Sequence, residues 1–137
     1  MHTTSMLPDA VLQERKALLD QGLEKLREQG FRNMRAHDVP GCEEPEELLI
    51  PVLNVHARPD ITAEPADGNG AALAVVEVSS GLGEESCGRR WQVLAHWAQE
   101  HGGTFRIFVH PEDQQRAQAI AEQWHLPVEL VTSLARH

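Results

Sequence analysis

The sequence predicts an α/β protein of three layers, in which helices cover both faces of a central mixed β-sheet. Three observations favour this class. Residues 67–70 form a turn signal between two extended segments, as in a β-hairpin. Residues 71–78 are apolar except for Glu77, as in a central strand that is covered on both faces. From residue 89 onward the patterns alternate helix, strand, helix and strand, which is typical of right-handed βαβ crossovers.

Length and composition limit the classes of function. The 137 residues predict a single domain at residues 8–137 behind a flexible N-terminal arm at residues 1–7. The two cysteines form no CxxC pair, and no apolar run reaches the length of a membrane span or of a secretory leader. We therefore expect a soluble, cytoplasmic protein with no membrane partner. Its net charge of -9 opposes the long-range attraction of nucleic acid.

The N-terminal half predicts one helix and two strands before the hairpin. The helix begins at Pro8 and Asp9 and ends at Gly30, and four leucines share one of its faces, while its charged residues are expected to be solvated. Residues 31–37 predict a first strand, and the acidic, proline-containing residues 39–47 predict a loop. Residues 48–57 predict a strand that Pro51 interrupts, near a sheet edge or a bulge.

The C-terminal half begins with residues 79–88, whose glycines and serines predict a mobile loop without the spacing of a phosphate-binding loop. Residues 89–101 then predict a helix with Trp91 and Leu94 on its apolar face. Residues 105–109 predict a strand, and Pro111 opens a third helix whose apolar stripe includes Trp124. Residues 128–132 predict the last strand.

Glu77 is the unusual residue of this pattern, because a carboxylate in a covered strand needs a cation, a donor or a water-filled cleft to compensate its burial. Pro59 and Asp60 open the first strand of the hairpin. This placement of the two acids, together with the order helix, strand, hairpin, helix, strand, helix and strand, resembles the PD-(D/E)XK, or restriction-endonuclease-like, superfamily. The resemblance spans about residues 12–132.

The resemblance implies a restriction-endonuclease-like three-layer α/β/α fold and metal-dependent hydrolysis of phosphodiesters in DNA, or less readily in RNA. Asp60 and Glu77 match the acids that ligate Mg²⁺ or Mn²⁺ in that superfamily. Carboxylate oxygens suit such hard cations, and the cation neutralises the charge of the phosphodiester. We therefore expect Asp60 and Glu77 to form a metal site.

The chain departs from the superfamily at the third motif position, where Ser79 stands in place of the lysine. Arg89 and Arg90, on the following helix, are the candidate replacements, and Gln92 matches a glutamine that members often carry there. Arginine can orient water or stabilise charge, but it stays protonated and cannot accept a proton from water. The chain is thus a divergent member of the pattern, and its catalytic set would be Asp60, Glu77, Ser79, Arg89, Arg90 and Gln92.

Each candidate also has a structural interpretation. Asp60 could cap a turn, Glu77 could pair with Arg58, Arg89 or Arg90, and Gln92 could be a helix-surface residue. His56 is an additional candidate metal ligand, and the helical glutamate of the superfamily could correspond to Glu14 or Glu24.

Two hypotheses of different classes follow. In the first, the protein is a divergent nuclease that cleaves DNA with Mg²⁺ or Mn²⁺. In the second, the same scaffold has lost catalysis and serves as a binding or assembly module that forms a homodimer. The missing lysine and the acidic charge favour the second hypothesis, and the retained pair of carboxylates favours the first.

Overall fold

The computed structural model describes residues 9–50, 54–68 and 70–135, with the backbone alone at residue 84. The predicted arm at residues 1–7, Pro8 at the helix start and Pro51 lie outside these residues. Within them the chain forms three α-helices and seven strands: α1 (Asp9–Glu28), β1 (Arg32–Ala36), β2 (Leu48–Ile50), β3 (Val55–Ala57), β4 (Ile61–Glu64), β5 (Ala72–Val76), α2 (Glu84–Glu100), β6 (Thr104–Val109), α3 (Gln114–Gln123) and β7 (Val131–Ser133). Short 3₁₀ turns precede α2, α3 and β7.

Five strands form one mixed sheet in the order β1-β4-β5-β6-β7. β4 is antiparallel to both β1 and β5, whereas β5, β6 and β7 are parallel to one another. The predicted hairpin is therefore present as β4 and β5, and α2 and α3 form the crossovers between the parallel strands. The prediction of a mixed α/β protein is confirmed.

Helices cover both faces of this sheet. On one face α1 packs Leu18, Leu19, Leu23 and Leu26 against a core that includes Phe108 of β6. On the other face α2 and α3 pack against Leu73 and Val75 of β5 and their neighbours. Because side chains alternate along a strand, β5 contributes Ala72, Ala74 and Val76 to the α1 face, and Leu73 and Val75 to the α2 face. Every residue of β5 is buried, as predicted for a central strand.

Two elements differ from the prediction. Residues 48–50 and 55–57 form two short strands, β2 and β3, which pair with each other outside the main sheet and pack against α2. Asn54, directly before β3, has a φ of 52°. Helix α2 begins at Glu84, so only the first part of the predicted loop at residues 79–88 is irregular. Gly88 lies within α2, and Trp124 packs so closely over it that a Cβ there would be 1.9 Å from the indole nitrogen.

Because β5 and β6 are parallel, Glu77, which follows β5, lies beside the end of β6, and its amide donates to the Phe108 carbonyl oxygen at 3.0 Å. At the other end of this pair, the connection from α2 approaches β5 so closely that the Thr104 amide donates to the Ala71 carbonyl oxygen at 3.0 Å. A Cβ on Gly103 would stand 2.2 Å from that same oxygen. Only glycine fits at this position without moving the two strands apart.

We predict that Gly103→Ala lowers the free energy of unfolding by about 1–3 kcal/mol, because the added methyl group must displace backbone rather than a flexible side chain. Urea denaturation measures the change. Gln99→Ala, at an exposed position near the end of α2, is the control and should change the free energy of unfolding by less than about 0.5 kcal/mol. Equal stability of Gly103→Ala and the wild type would contradict the close approach.

Candidate carboxylate site

The hairpin brings Asp60 and Glu77 to the same end of the sheet. Asp60 immediately precedes β4, and Glu77 immediately follows β5. Because β4 and β5 are antiparallel, the start of one lies beside the end of the other, and the Asp60 amide donates to the Ala74 carbonyl oxygen at 3.0 Å. Both acids are buried, with 3% and 9% of their surface exposed. The convergence expected from the sequence is present.

Asp60 is held by two arginines and one backbone amide. Its Oδ1 accepts hydrogen bonds from Arg15 Nη2 at 2.5 Å and from Arg90 Nη2 at 3.2 Å. Its Oδ2 accepts a hydrogen bond from the Val76 amide at 2.9 Å. The carboxylate thus has charged and neutral donors on both oxygens, which compensates its burial.

Glu77 lies beneath α2, and its Oε2 accepts a hydrogen bond from the Trp91 indole nitrogen at 2.9 Å. Arg90 Nη1 lies 3.8 Å from the same oxygen. Burial raises the pKa of Glu77 above its ordinary value, although the Trp91 hydrogen bond and the Arg90 charge act in the opposite direction. Burial, with the charge of Glu77 as a second cause, also raises the pKa of the buried Cys87 thiol.

Arg90 joins the two acids. One guanidinium nitrogen contacts Asp60 and the other faces Glu77, while Nη2 also donates to the Arg58 carbonyl oxygen at 2.8 Å. The structural interpretation of Glu77 as the partner of Arg90 is therefore correct. The side chain that the sequence suggested as a phosphate contact or catalytic cation donates a hydrogen bond to Asp60 and lies 3.8 Å from Glu77.

The residues of this site do not fit a divalent cation in the arrangement described. Mg²⁺ requires near-octahedral oxygen ligands at about 2.1 Å. Three of the four carboxylate oxygens, Oδ1 and Oδ2 of Asp60 and Oε2 of Glu77, already accept hydrogen bonds. Two guanidinium charges lie against the pair and would repel a cation. The metal site at Asp60 and Glu77 stays a prediction, and metal binding would require Arg90 to move.

The remaining predicted residues point elsewhere. Ser79 Oγ lies 2.7 Å from each carboxylate oxygen of buried Asp113 and donates to that carboxylate. Gln92 is exposed and donates to the Trp124 carbonyl oxygen at 3.2 Å. Arg89 is exposed as well. Among the described contacts, none joins Ser79, Arg89 or Gln92 to either acid of the pair.

Sequence reasoning missed Arg15, which was assigned to the solvated face of the first helix. A signal was available, because Arg15 stands three and four residues before the buried Leu18 and Leu19 and so shares their face of α1. Its stem lies along the core while its guanidinium reaches the end of the sheet. The indole donor of Trp91 was also missed, because its position in the apolar stripe indicated only packing.

Beside the acid pair, α2 and β3 enclose an open cavity of about 480 Å³, which we call the arginine groove. Its charged lining residues are Arg58, Arg89, Arg90 and Glu85, with His56 at its side. Glu47 lies 3.3 Å from His56 and 3.8 Å from Arg58. Arg89 forms no ion pair with any residue that the structure describes, so the groove presents one uncommitted cation and one loosely paired cation to an anion.

A second cluster of possible metal ligands lies on the surface at His37, Asp38 and Glu44. Its groups bind one another, since His37 Nδ1 lies 2.6 Å from Glu44 and the Asp38 amide donates to Glu44 at 2.9 Å. These hydrogen bonds, that of Asp38 first, lower the pKa of Glu44. The cluster stabilises a turn after β1 and is separate from the predicted site.

The class of protein defined by this fold is a mixed α/β protein with a buried pair of carboxylates at one end of its sheet. No protein-family model matches the chain, and comparisons with curated proteins and with solved structures found no significant match. Within the described part of the chain, none of the helices is both long enough and apolar enough to cross a membrane.

We predict that Glu77→Gln becomes more stable relative to the wild type as pH rises from about 4 to 7. Because burial raises the pKa of Glu77, the folded wild type binds the proton more tightly than the unfolded chain does. The resulting stabilisation is present below the unfolded pKa, about 4.3, and is lost as pH rises through the folded pKa, by about 1.4 kcal/mol for each unit of elevation. Glutamine does not titrate, so it avoids this loss.

Urea denaturation of both proteins at several pH values measures the difference in free energy of unfolding. Glu28→Gln, at the exposed end of α1, supplies the baseline. If the free energy of unfolding of Glu77→Gln minus that of the wild type falls as pH rises, the pKa of Glu77 is lowered in the folded state. Burial would then not outweigh the contacts with Trp91 and Arg90, contrary to the prediction.

Proposed function

We propose that the protein is a divergent PD-(D/E)XK-like module in which an arginine takes the place of the metal, and that it binds phosphate groups of DNA without hydrolysing them. Support for the kinship comes from the element order and the sheet. A helix, an antiparallel meander of β1, β4 and β5, and two parallel strands reached through helices follow the order on which the resemblance rests. The acid pair lies at the two motif positions.

One observation carries the non-catalytic assignment: the Arg90 guanidinium contacts both acids of the motif. With Arg15 it brings two positive charges to two carboxylates, so the pair is neutralised without an ion. A buried carboxylate that loses its charged partner becomes strongly unfavourable, commonly by about 3–5 kcal/mol. A metal that replaced Arg90 would therefore have to compensate both carboxylates itself and replace the hydrogen bonds that Arg90 donates.

The chemistry of hydrolysis also lacks its usual participants. Ser79 stands at the lysine position and donates to Asp113 instead of the acid pair. The arginines at this end of the sheet cannot take a proton from water at neutral pH. They can hold and orient an anion but cannot act as a base.

Binding to DNA is supported by the arginine groove. Arg58 and Arg89 line it and are exposed, and guanidinium groups match phosphate in a bidentate geometry. The net charge of -9 opposes the approach of a polyanion. We therefore expect weak binding through one or two phosphates rather than a tight complex along a duplex.

Metal-dependent cleavage is the second candidate function, and the placement of Asp60 and Glu77 side by side, before β4 and after β5, is the observation that favours it. If Arg90 leaves the pair when DNA enters the groove, the two carboxylates remain together at one place. The two candidates differ in whether the wild type binds Mn²⁺ and cleaves DNA.

We predict that the wild type shows no saturable Mn²⁺ binding by calorimetry, whereas Arg90→Ala binds Mn²⁺ through the released carboxylates. Asp60→Ala/Glu77→Ala/Arg90→Ala is the matched control and should not bind. In a nicking assay on supercoiled plasmid with Mg²⁺ or Mn²⁺, the wild type should cleave no more than the Asp60→Ala/Glu77→Ala variant does. Carboxylate-dependent Mn²⁺ binding and cleavage by the wild type would refute the non-catalytic assignment and establish the second candidate.

We further predict that a short DNA duplex binds weakly at low salt and that Arg58→Gln/Arg89→Gln reduces the affinity at least about tenfold, because two phosphate contacts are lost. Two contacts give a slope of log affinity against log salt of about -2. Fluorescence anisotropy measures both quantities. Arg27→Gln/Arg32→Gln removes two exposed arginines at other positions and controls for net charge.

Equal loss of affinity in the control variant would show that binding follows total charge and not the groove. Sedimentation velocity on the same preparations, with and without DNA, tests the predicted homodimer. A stable dimer without DNA affinity would favour an assembly module over a DNA-binding module.

A further inference from the structure

The edge of the sheet beside the first half of β6 contains a second cavity, of about 690 Å³. Among the described residues, β7 pairs with β6 only from Ile107 to Val109, so the first half of β6 has no neighbouring strand on that side. Gly103, Thr104 and Phe105 line the cavity. We call this cavity the edge groove.

The hydrogen bonds of β6 show which of its backbone groups face the edge groove. The amide and the carbonyl group of one strand residue point to the same side, and successive residues alternate between the two sides. The Thr104 amide donates to the Ala71 carbonyl oxygen at 3.0 Å, so Thr104 faces β5. The Leu134 amide donates to the Val109 carbonyl oxygen at 2.8 Å, so Val109 faces β7. Phe105, four residues before Val109, therefore faces the β7 side as well.

Three backbone groups are open on this side. The N–H and C=O of Phe105 have no hydrogen-bond partner among the described residues, although Phe105 is only 4% exposed. The Gly103 carbonyl belongs to the same planar peptide unit as the Thr104 amide, so it points away from β5 and toward the groove. The Leu130 amide, just before β7, donates to the Pro127 carbonyl oxygen instead. An acceptor, a donor and an acceptor thus follow one another along the open edge.

This row of open groups indicates the kind of partner. Backbone polar groups in a protected position are nearly always paired, with another strand, a side chain or ordered water. An extended peptide presents a donor, an acceptor and a donor along one edge, at the spacing that a neighbouring strand requires. A ligand with a single polar group would satisfy only one of the three. The pattern therefore favours an extended backbone.

The walls of the edge groove limit the side chains of such a peptide. Leu126 and Leu130 line the groove and pack against the core on the α2 face, where they can receive one apolar side chain of an added strand. The Arg106 guanidinium lies on the other face, 4.8 Å from the centre of the Phe31 ring. Glu129 also lines the groove, and together with the net charge of -9 it favours a basic segment over an acidic one.

We propose that the edge groove is a strand-addition site for an extended segment of another protein, in which basic residues flank an apolar one. The backbone of that segment pairs with Gly103 and Phe105 and continues the line of β7 along the rest of β6. The site lies apart from the carboxylate pair. Its partner is recognised whether or not the protein binds DNA.

The test follows amide hydrogen exchange by ¹H–¹⁵N spectroscopy, with the capped pentapeptide KVLVK as the probe. In the free protein the Phe105 amide should exchange at least about a hundredfold faster than the Thr104 and Arg106 amides, which face β5. Saturating peptide should slow exchange at Phe105 at least about tenfold and leave Ser133, on the outermost strand, unchanged. The acidic peptide EVLVE should bind at least about tenfold more weakly at low salt.

N-methylated peptides are the matched controls, because they keep the side chains and remove chosen backbone donors. Only one edge of the added strand faces β6. N-methylation of the central leucine and N-methylation of the two valines should therefore differ. One should lower the affinity at least about tenfold, and the other should change it by less than about threefold.

Three results would overturn the proposal. The first is a Phe105 amide as protected in the free protein as its two neighbours, because the edge would then already be paired. The second is unchanged exchange at Phe105 with peptide, or equal affinity of all the methylated peptides, because binding would then not use the open edge. The third is protection of Phe105 that rises with protein concentration in the absence of peptide, which would assign the position to a second copy of this chain.

Discussion

The contact of Arg90 with both Asp60 and Glu77 is the interaction on which this end of the structure depends. It joins the start of β4, the end of β5 and α2, and Arg15 adds α1 through the same Asp60 oxygen. Elements from both faces of the sheet therefore meet at one pair of acids. Because each acid is buried, its charge is tolerated only while these donors stay in place, and the end of the sheet is fixed by that requirement.

The same contact is where the two functional hypotheses differ. A divalent ion and two guanidinium groups carry equal charge, but they differ in geometry and permanence. A metal leaves positions for water and phosphate oxygen and can be exchanged. Guanidinium groups donate directed hydrogen bonds to the carboxylate oxygens, and they cannot bind and activate a hydroxide as a metal does. Under the proposed function, a site closed in this way offers an anion only the outward side of Arg90 and its neighbours in the groove.

Local sequence patterns predicted the helices and strands well where the spacing of apolar residues matched a single type of element. The apolar run before Glu77 and the turn residues gave the hairpin, and the leucines of α1 gave its buried face. Residues 48–57 were predicted as one interrupted strand, whereas the described residues there form two strands, β2 and β3, and a strand pattern does not reveal that its two parts pair with each other. The start of α2 was placed too late because Gly88 indicates a loop locally, and its contact with Trp124 from α3 is invisible in sequence.

The partners of charged groups were harder to predict than the acids themselves, since each pair joins distant parts of the chain. Arg15 and Asp60 are 45 residues apart, and Arg90 and Asp60 are 30 apart. Composition gave only the net charge, which does not distinguish an arginine that is paired with an acid from one that is not. At the carboxylate pair the positive charges have acids within the same fold, so no ligand is needed. At β6 the fold supplies Arg106 with a ring but no acid. Since burial penalises a charge in either place, Arg106 is the less fully compensated of the two, and its contact with Phe31 offsets only part of the lost hydration.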